Sequence, residues 1–131
     1  MTFVDTSAWY ALYIPIDASH RVATAWMNAH RGPLLTTDYV IDEALTLMRS
    51  RGHPDVALDF GRDAFSGRMA KIHYLKPDEI AAAWDVFHTF DDKDWSFTDC
   101  TSKVVIEQAG ITTAFTFDRH FRQFGTVVVV P

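Results

Sequence analysis

Short runs of β-branched and aromatic residues alternate along this chain with longer segments of helical periodicity. After Asp38, apolar residues recur at the i, i+3, i+4, i+7 spacing of one helix face, at Ile41, Ala44, Leu45 and Met48. The pattern predicts strands at residues 2–4, 34–36, 71–75, 113–117 and 126–130. It predicts one helix beginning at residue 6 and others at about 18–30, 38–50, 55–65, 77–90 and 97–109.

Residues that start or stop helices lie where the periodic segments change. Asp17 and Asp38 are predicted N-caps, and Pro77 fits the first turn of a helix because that position needs no hydrogen-bond donor. Gly110 follows the last periodic residue of its segment and fits a left-handed C-cap. These four residues delimit the predicted helices.

The alternation of strands and helices predicts an α/β fold, a sandwich with helices on both faces of a central parallel sheet. The chain has 131 residues with no linker and no repeat, and we expect one domain over residues 1–131. A domain of this size buries about two-thirds of its unfolded surface, so its core needs neither a disulfide nor a metal. Parallel sheets bind ligands at the carboxyl ends of their strands, which makes polar residues just after a strand the first site candidates.

Composition excludes several classes of protein. Hydrophobic residues make up 48% of the chain and charged residues 22%, as in globular rather than disordered proteins. The longest aliphatic run, Val127 to Val130, is far shorter than a membrane span, and Asp5 lies where a signal peptide would be basic or apolar. The single cysteine, Cys100, excludes an internal disulfide. We therefore expect a cytoplasmic protein without a membrane segment.

Four acidic residues occupy positions at which a parallel sheet binds ligands. Asp5 follows the first strand and Asp118 the fourth, Glu43 lies in the helix after the second strand, and Asp99 begins the helix before the fourth. Carboxylates from separate elements are the ligands that Mg²⁺ and Mn²⁺ prefer. Two such ions can activate a water molecule and stabilise both oxygens in the cleavage of a phosphodiester.

Each acid also has a purely structural explanation. Asp5 can cap the helix that follows it, and Ser96 to Asp99 has the pattern of a capping box. Glu43 lies at the edge of the apolar helix face, where a solvent-exposed glutamate is common. Asp118 can be an ordinary turn residue. Periodicity alone does not choose between these roles, nor between Glu43 and its neighbour Asp42.

Four segments resemble, in order and in spacing, the motifs of the PIN-domain family, in particular of the VapC-type toxin ribonucleases of toxin–antitoxin pairs. The segments are Phe3–Trp9, Thr36–Glu43, Lys93–Cys100 and Thr116–Phe121, and the third is the most specific. The resemblance extends from end to end of the chain. It implies a PIN-like αβα sandwich whose catalytic and metal-binding residues are Asp5, Glu43, Asp99 and Asp118.

The resemblance also implies an activity and partners. The activity is that of a toxin, an endoribonuclease dependent on Mg²⁺ or Mn²⁺ that hydrolyses RNA with metal-activated water and without a covalent enzyme intermediate. The partners are a second copy of the chain, in a homodimer, and an antitoxin whose tail blocks the site. We expect an arginine or lysine of the antitoxin to approach the carboxylates, because a guanidinium pairs with them through two hydrogen bonds. Trp9, Tyr13 and Trp26 are candidates for a groove that holds a partner helix, or else are ordinary core.

Residues next to the acids are candidates for supporting roles. The hydroxyls of Thr6 and Ser7 can orient a metal-bound carboxylate or contact the substrate phosphate, and they can also serve in helix capping. Lys103, one turn beyond Asp99, can contact a phosphate, but an ion pair with Asp99 or exposure to solvent explains it better. Arg119 follows the fourth acid directly and can meet RNA phosphates.

The net charge bears on whether the chain is expected to bind RNA. The net charge of −5, from 12 basic and 17 acidic residues, argues by itself against binding RNA. If four of the acids hold metal, however, 13 acids remain against 12 basic residues, and the rest of the chain is nearly neutral. Two sets of basic residues then either bind phosphates or form solvated surface. One set is Arg119, His120 and Arg122, and the other is Arg49, Arg51, Arg62, Arg68 and Lys71.

Three other functions use the same residues. A PIN-fold nuclease of RNA processing would share the whole site, and so would a non-catalytic RNA-binding module, although binding alone gives no reason for four mutually repelling carboxylates. A phosphotransfer enzyme with Asp5 as its nucleophile is disfavoured. Haloacid-dehalogenase-type phosphatases need a second aspartate two residues after the nucleophile, and this chain has Ser7 there.

Overall fold

The computed structural model describes residues 1–131 and contains five parallel strands flanked by helices. The strands are β1 (Thr2–Val4), β2 (Leu34–Thr37), β3 (Lys71–His73), β4 (Thr113–Phe115) and β5 (Val128–Val130). The helices are α1 (Thr6–Tyr13), α2 (His20–Ala29), α3 (Asp38–Ser50), α4 (Pro54–Phe65), α5 (Pro77–Thr89) and α6 (Phe97–Gln108), and a 3₁₀ helix spans Arg119–Phe124. The predicted α/β sandwich around a parallel sheet is confirmed.

The order of the strands in the sheet is β3-β2-β1-β4-β5, and every neighbouring pair is parallel. All five strands therefore end at the same edge of the sheet. The chain proceeds outward from β1 through β2 to β3, then returns past β1 to add β4 and β5 on its other side. The strand order reverses between β1 and β4, and the carboxyl edge at such a reversal is the usual ligand position in an α/β sheet.

The central strand is buried on both faces. Neighbouring residues of a strand point to opposite faces, and Phe3 and Val4 of β1 are both 0% exposed. Helices must therefore cover each face of the sheet at its centre. The buried hydrophobic side chains form one contiguous core of 29 residues. No helix combines the length and the apolar character that crossing a bilayer requires.

Trp9 belongs to this core. Its side chain is 1% exposed, and its Nε1 donates to Thr36 Oγ1 at 3.2 Å, while the Thr36 hydroxyl donates to the carbonyl oxygen of Val4 at 3.1 Å. Tyr13 is half-buried and donates to Asp63 Oδ2 at 2.6 Å, which joins α1 to α4. The expectation that Trp9 lines a groove for a partner helix is therefore wrong, and the ordinary-core alternative is right.

Two predicted helix caps are wrong, because each aspartate accepts from a different amide. Thr37 caps α3 by accepting from the Val40 amide at 3.1 Å. Asp38 instead accepts from the Leu75 amide at 3.0 Å and so attaches α3 to the segment after β3. Asp17 accepts from the amide of Ser19 at 3.0 Å, within the turn that precedes α2.

Other boundaries differ by a few residues. The third, fourth and fifth strands are each three residues long, shorter than predicted. After β4 the Thr116 amide still donates to the Val130 carbonyl oxygen at 3.1 Å, while its hydroxyl joins a hydrogen-bonded network described below. The 3₁₀ helix was not predicted, since six residues are too few to establish a helical period.

We expect Thr36→Val to destabilise the protein by about 1–3 kcal/mol. The substitution keeps the shape of the side chain but leaves the indole N–H of Trp9 buried without an acceptor, which incurs its desolvation penalty. Urea denaturation monitored by tryptophan fluorescence measures the change. Thr89→Val at the exposed end of α5 is the matched control, and equal stability of the two variants would show that the buried hydrogen bond contributes nothing.

Candidate active site

The four predicted acids meet at the carboxyl edge of the sheet, beside the reversal between β1 and β4. Asp5 directly follows β1, Asp118 follows β4 after two residues, Asp99 lies in the first turn of α6, and Glu43 lies in the second turn of α3. The charges of Asp118 and Glu43 raise the pKa of Asp99, and the charge of Asp99 raises that of Asp5. Asp99 therefore lies within electrostatic reach of each of the other three acids.

Asp5 is the most deeply buried of the four, with 2% of its surface exposed. One of its oxygens, Oδ2, accepts from the Ser7 amide at 3.4 Å, from the Ser7 hydroxyl at 3.0 Å and from the Thr116 hydroxyl at 2.8 Å. Burial raises the pKa of Asp5 to about 7, with a further increase from Asp99, although the hydrogen bonds act in the opposite direction. Asp5 is also the N-cap of α1, and this structural role is compatible with the predicted site role.

Ser7 and Thr116 connect the two strands at the reversal. The Ser7 hydroxyl lies 3.0 Å from the Thr116 hydroxyl and accepts from the Phe117 amide at 2.8 Å. Thr116 Oγ1 accepts from the Asp118 amide at 2.9 Å. These bonds hold the loop after β4 against the start of α1, and they fix where Asp118 lies relative to Asp5.

Asp99 takes part in the predicted capping box at the start of α6. Its amide donates to Ser96 Oγ at 3.0 Å, and its Oδ2 accepts from the Ser96 amide at 3.1 Å. The capping role is therefore confirmed, but it engages only one of the two carboxylate oxygens. Asp99 is 4% exposed, and its pKa is raised chiefly by burial and secondarily by Asp118 and Glu43.

A histidine completes the cluster. Asp118 caps the 3₁₀ helix, and its Oδ1 accepts from the His120 amide at 2.9 Å. The ring nitrogen Nδ1 of His120 lies 3.2 Å from Asp99 Oδ2 and 3.3 Å from Asp118 Oδ1. Asp99, Asp118 and His120 offer metal-ligating atoms that all lie within 4.8 Å of one another.

Glu43 lines a cleft of about 300 Å³ between α3 and the start of α6. The lining consists of Asp42, Glu43, Thr46, Leu47, Ser50 and Thr98. Glu43 is half-buried and its charge acts on Asp99, whereas Asp42 is exposed. The structure therefore favours Glu43 over Asp42, a choice that periodicity left open.

The three aspartates share a pattern that suits a metal site. The side-chain hydrogen bonds described above end on Oδ2 of Asp5, on Oδ2 of Asp99 and on Oδ1 of Asp118. None of them uses the second oxygen of its carboxylate. Groups that bind one oxygen orient the carboxylate, and the other oxygen remains available to a hard cation such as Mg²⁺ or Mn²⁺. The donor set therefore fits these ions.

The remaining predicted residues divide between the site and the surface. Ser7 belongs to the site, and Thr6 beside it is buried with no hydrogen bond to its hydroxyl. Arg119 is exposed at the start of the 3₁₀ helix. Lys103 pairs with Glu107, at 2.6 Å, so the expected ion pair with Asp99 is wrong. Lys103 does form an ion pair with a residue one helical turn away, as expected. That residue, however, lies toward the carboxyl end of α6 rather than toward the site.

Sequence reasoning missed two residues of the site. Thr116 was noticed only as part of a motif, although a hydroxyl directly after a strand is a usable signal for a site at the sheet edge. His120 was a candidate only for phosphate contact or solvated surface, because nothing in the sequence brings it next to Asp99, 21 residues earlier.

Comparisons with known proteins identify the family and the fold of the chain. A family model described as "PIN domain" matches residues 2–127. The 23S rRNA-specific endonuclease VapC20 of Mycobacterium tuberculosis, in strains CDC 1551 and H37Rv, is 31% identical over 131 residues, which cover 100% of this chain and 99% of the relative. The crystal structure of M. tuberculosis VapC20, described as a sarcin–ricin loop cleaving toxin, superposes with a TM-score of 0.93 at 30% identity and covers both chains completely.

We expect Asp5→Asn to change how stability depends on pH when metal is absent. The pKa of Asp5 rises from 3.8 to about 7 on folding, so between these pH values the folded protein binds more protons than the unfolded chain. The contribution of Asp5 to the free energy of unfolding therefore falls as pH rises through this range. Asparagine carries no charge and keeps an oxygen for the Ser7 and Thr116 donors, so the variant should be more stable than wild type near pH 8.

Urea denaturation in EDTA across pH 4 to 8 measures this difference. The advantage of Asp5→Asn should disappear toward pH 4, where the wild-type carboxyl is protonated. Asp42→Asn, which removes an exposed carboxylate next to Glu43, is the control and should follow wild type. A difference between Asp5→Asn and wild type that does not vary with pH would contradict the raised pKa.

Proposed function

This chain belongs to the PIN-domain family, and from that membership and its carboxylate cluster we propose that it is a divalent-metal-dependent endoribonuclease of the toxin type. The predicted resemblance to PIN-domain toxins is confirmed by the family match and by the full-length similarity to VapC20. The observation that carries the proposal is the set of three aspartates, each oriented through one oxygen while its second oxygen stays unbonded.

We assign the metal to Asp5, Glu43, Asp99 and Asp118. A bound Mg²⁺ or Mn²⁺ supplies a water of lowered pKa and neutralises charge that develops on the phosphate. The protein's own contribution is to hold the carboxylates in place: Ser7 and Thr116 orient Asp5, and the Ser96 amide orients Asp99. Burial of Asp5 and Asp99 keeps their charges poorly solvated, so a cation in the cluster relieves an existing penalty.

The names of the relatives suggest RNA as the substrate class and 23S rRNA as the first candidate. Exposed arginines flank the cluster on the 3₁₀ helix, at Arg119 and Arg122, and we propose that they contact phosphates. Lys103 pairs with Glu107 at 2.6 Å, so we do not include it among these proposed phosphate contacts.

We place part of the second set of basic residues, the set that runs from Arg49 to Lys71, along the path of the RNA strand. Arg49 and Arg62 line a groove of about 540 Å³ between α3 and α4. That groove is adjacent to the cleft at Glu43, because Thr46 and Ser50 line both. Arg51 differs from these two, because its guanidinium lies over the ring of Tyr10 at 5.1 Å.

We also retain three expectations that follow from the toxin assignment. The first is an antitoxin that places an arginine or lysine among the four carboxylates, for which the clustered negative charge is a suitable partner. The second is a homodimer. The third is a cytoplasmic location, favoured by the RNA substrate and by the free cysteine Cys100. Co-purification with the protein encoded next to this one, followed by sizing of the complex, tests the first two.

We expect Asp99→Asn and Asp118→Asn to lower RNA cleavage by more than about 100-fold, since even residues that only orient metal ligands account for 10–100-fold. The assay uses labelled RNA with Mg²⁺ or Mn²⁺, and EDTA should abolish the wild-type activity. Asp94→Asn, at an exposed carboxylate just before α6, should cleave like wild type.

The same assay separates the alternatives. RNA that is bound but never cut under any metal would favour the non-catalytic RNA-binding module. Equal cleavage of 23S rRNA fragments and unrelated RNA would favour a nuclease of RNA processing over a toxin with one target. Full activity of Asp99→Asn would remove that residue from the catalytic assignment.

We expect divalent metal to stabilise the protein in the absence of any partner. A ligand that binds only the folded state contributes about 2.7 kcal/mol at a hundred times its Kd. Thermal melts across a Mg²⁺ and a Mn²⁺ titration measure the shift, with Ca²⁺ as a comparison ion. Asp118→Asn should reduce the shift and Asp94→Asn should not, while a flat titration of wild type would contradict the metal site.

A further inference from the structure

The ring of His120 links two carboxylates that come from different elements. Its Nδ1 donates to Asp99 Oδ2, at the start of α6, over 3.2 Å, and lies 3.3 Å from Asp118 Oδ1, at the start of the 3₁₀ helix. The side chain is largely buried, with 19% of its surface exposed. No other hydrogen bond joins Asp99 to the 3₁₀ helix.

The chemistry of these atoms determines what the ring does. Ionised carboxylate oxygens only accept hydrogen bonds, so Nδ1 must carry the hydrogen that it shares with them. Two like charges close together repel, and a donor between them offsets part of that repulsion. Without the ring, Asp99 Oδ2 keeps only the Ser96 amide, and Asp118 Oδ1 keeps only the amide of residue 120.

The ring contacts the oxygens that are already bonded to the protein. Asp99 Oδ1 and Asp118 Oδ2 receive no hydrogen bond, and a nitrogen that carries hydrogen cannot be a metal ligand at the same time. We propose that His120 is a positioning residue that holds Asp99 and Asp118 at the separation needed to share a metal ion. The inference rests on the proposed function, because it concerns the same site.

Two substitutions distinguish this role from direct ligation. The amide nitrogen of asparagine is as many bonds from the backbone as Nδ1, so His120→Asn can donate to both oxygens but has no imidazole nitrogen. His120→Leu keeps comparable bulk and has no donor. Mn²⁺ affinity, measured by electron paramagnetic resonance of the free ion, should fall by about 10–100-fold for His120→Leu and stay close to wild type for His120→Asn.

Controls make the result specific. His88→Leu removes an exposed histidine of α5 that pairs only with Asp85, and should leave Mn²⁺ affinity unchanged. Equal losses for His120→Asn and His120→Leu would mean that the imidazole itself binds the ion, and would overturn the proposal. Unchanged affinity in His120→Leu would overturn it as well.

The experiment also separates this inference from the proposed function. Asp99→Asn is titrated in parallel, and if it binds Mn²⁺ like wild type, the acidic cluster is not the metal site and the proposed function fails. If Asp99→Asn loses affinity while His120→Leu does not, only the role of His120 is wrong. Should His120→Leu not fold, as judged by circular dichroism, His120→Gln replaces it. The amide nitrogen of glutamine lies one bond further out, so reduced affinity is expected there too.

Discussion

The burial of carboxylates close to one another is the constraint on which this structure depends. Asp5 and Asp99 are almost completely buried, and Glu43 and Asp118 act on Asp99 from either side. A carboxyl group buried in an apolar core avoids the free-energy cost of a poorly solvated charge by keeping its proton. The pKa of Asp5, raised to about 7, reflects this cost. The fold maintains the arrangement nonetheless, and the metal ion proposed for this cluster would offset the cost of burying these charges.

Local backbone structure offsets part of the repulsion. Asp5 caps α1, Asp99 lies in the first turn of α6, and Asp118 caps the 3₁₀ helix. The start of a helix carries partial positive charge and unpaired amides, and both stabilise a carboxylate. Each of the three aspartates is therefore stabilised by the helix that it begins. The sheet then places the three helix starts next to one another. The capping role of these aspartates is therefore compatible with the metal-binding role proposed for them.

The parallel sheet explains why residues so far apart in sequence meet. With β1 at the centre and β4 beside it, the residues after these strands, Asp5 and Thr116, are neighbours although 111 positions separate them. Ser7 and Thr116 then hold the two connections together, which fixes the loop that carries Asp118. The full-length similarity to VapC20 is consistent with this dependence, because the site needs both ends of the chain.

The sequence by itself determined those features that depend on neighbours along the chain. Hydrophobic period and capping residues predicted the α/β class and nearly every helix and strand, and the resemblance of four motifs to a known family selected the four acids. Tertiary structure decided which groups meet across the fold: Thr116 with Asp5, His120 with Asp99, and Trp9 inside the core rather than on a partner surface. It also decided which of two nearby residues forms a given contact. Lys103 pairs with Glu107 rather than with Asp99, and Thr37 rather than Asp38 caps α3. The contacts across the fold and the choices between nearby residues both depend on distances through space and on burial. Periodicity along the chain does not encode either quantity.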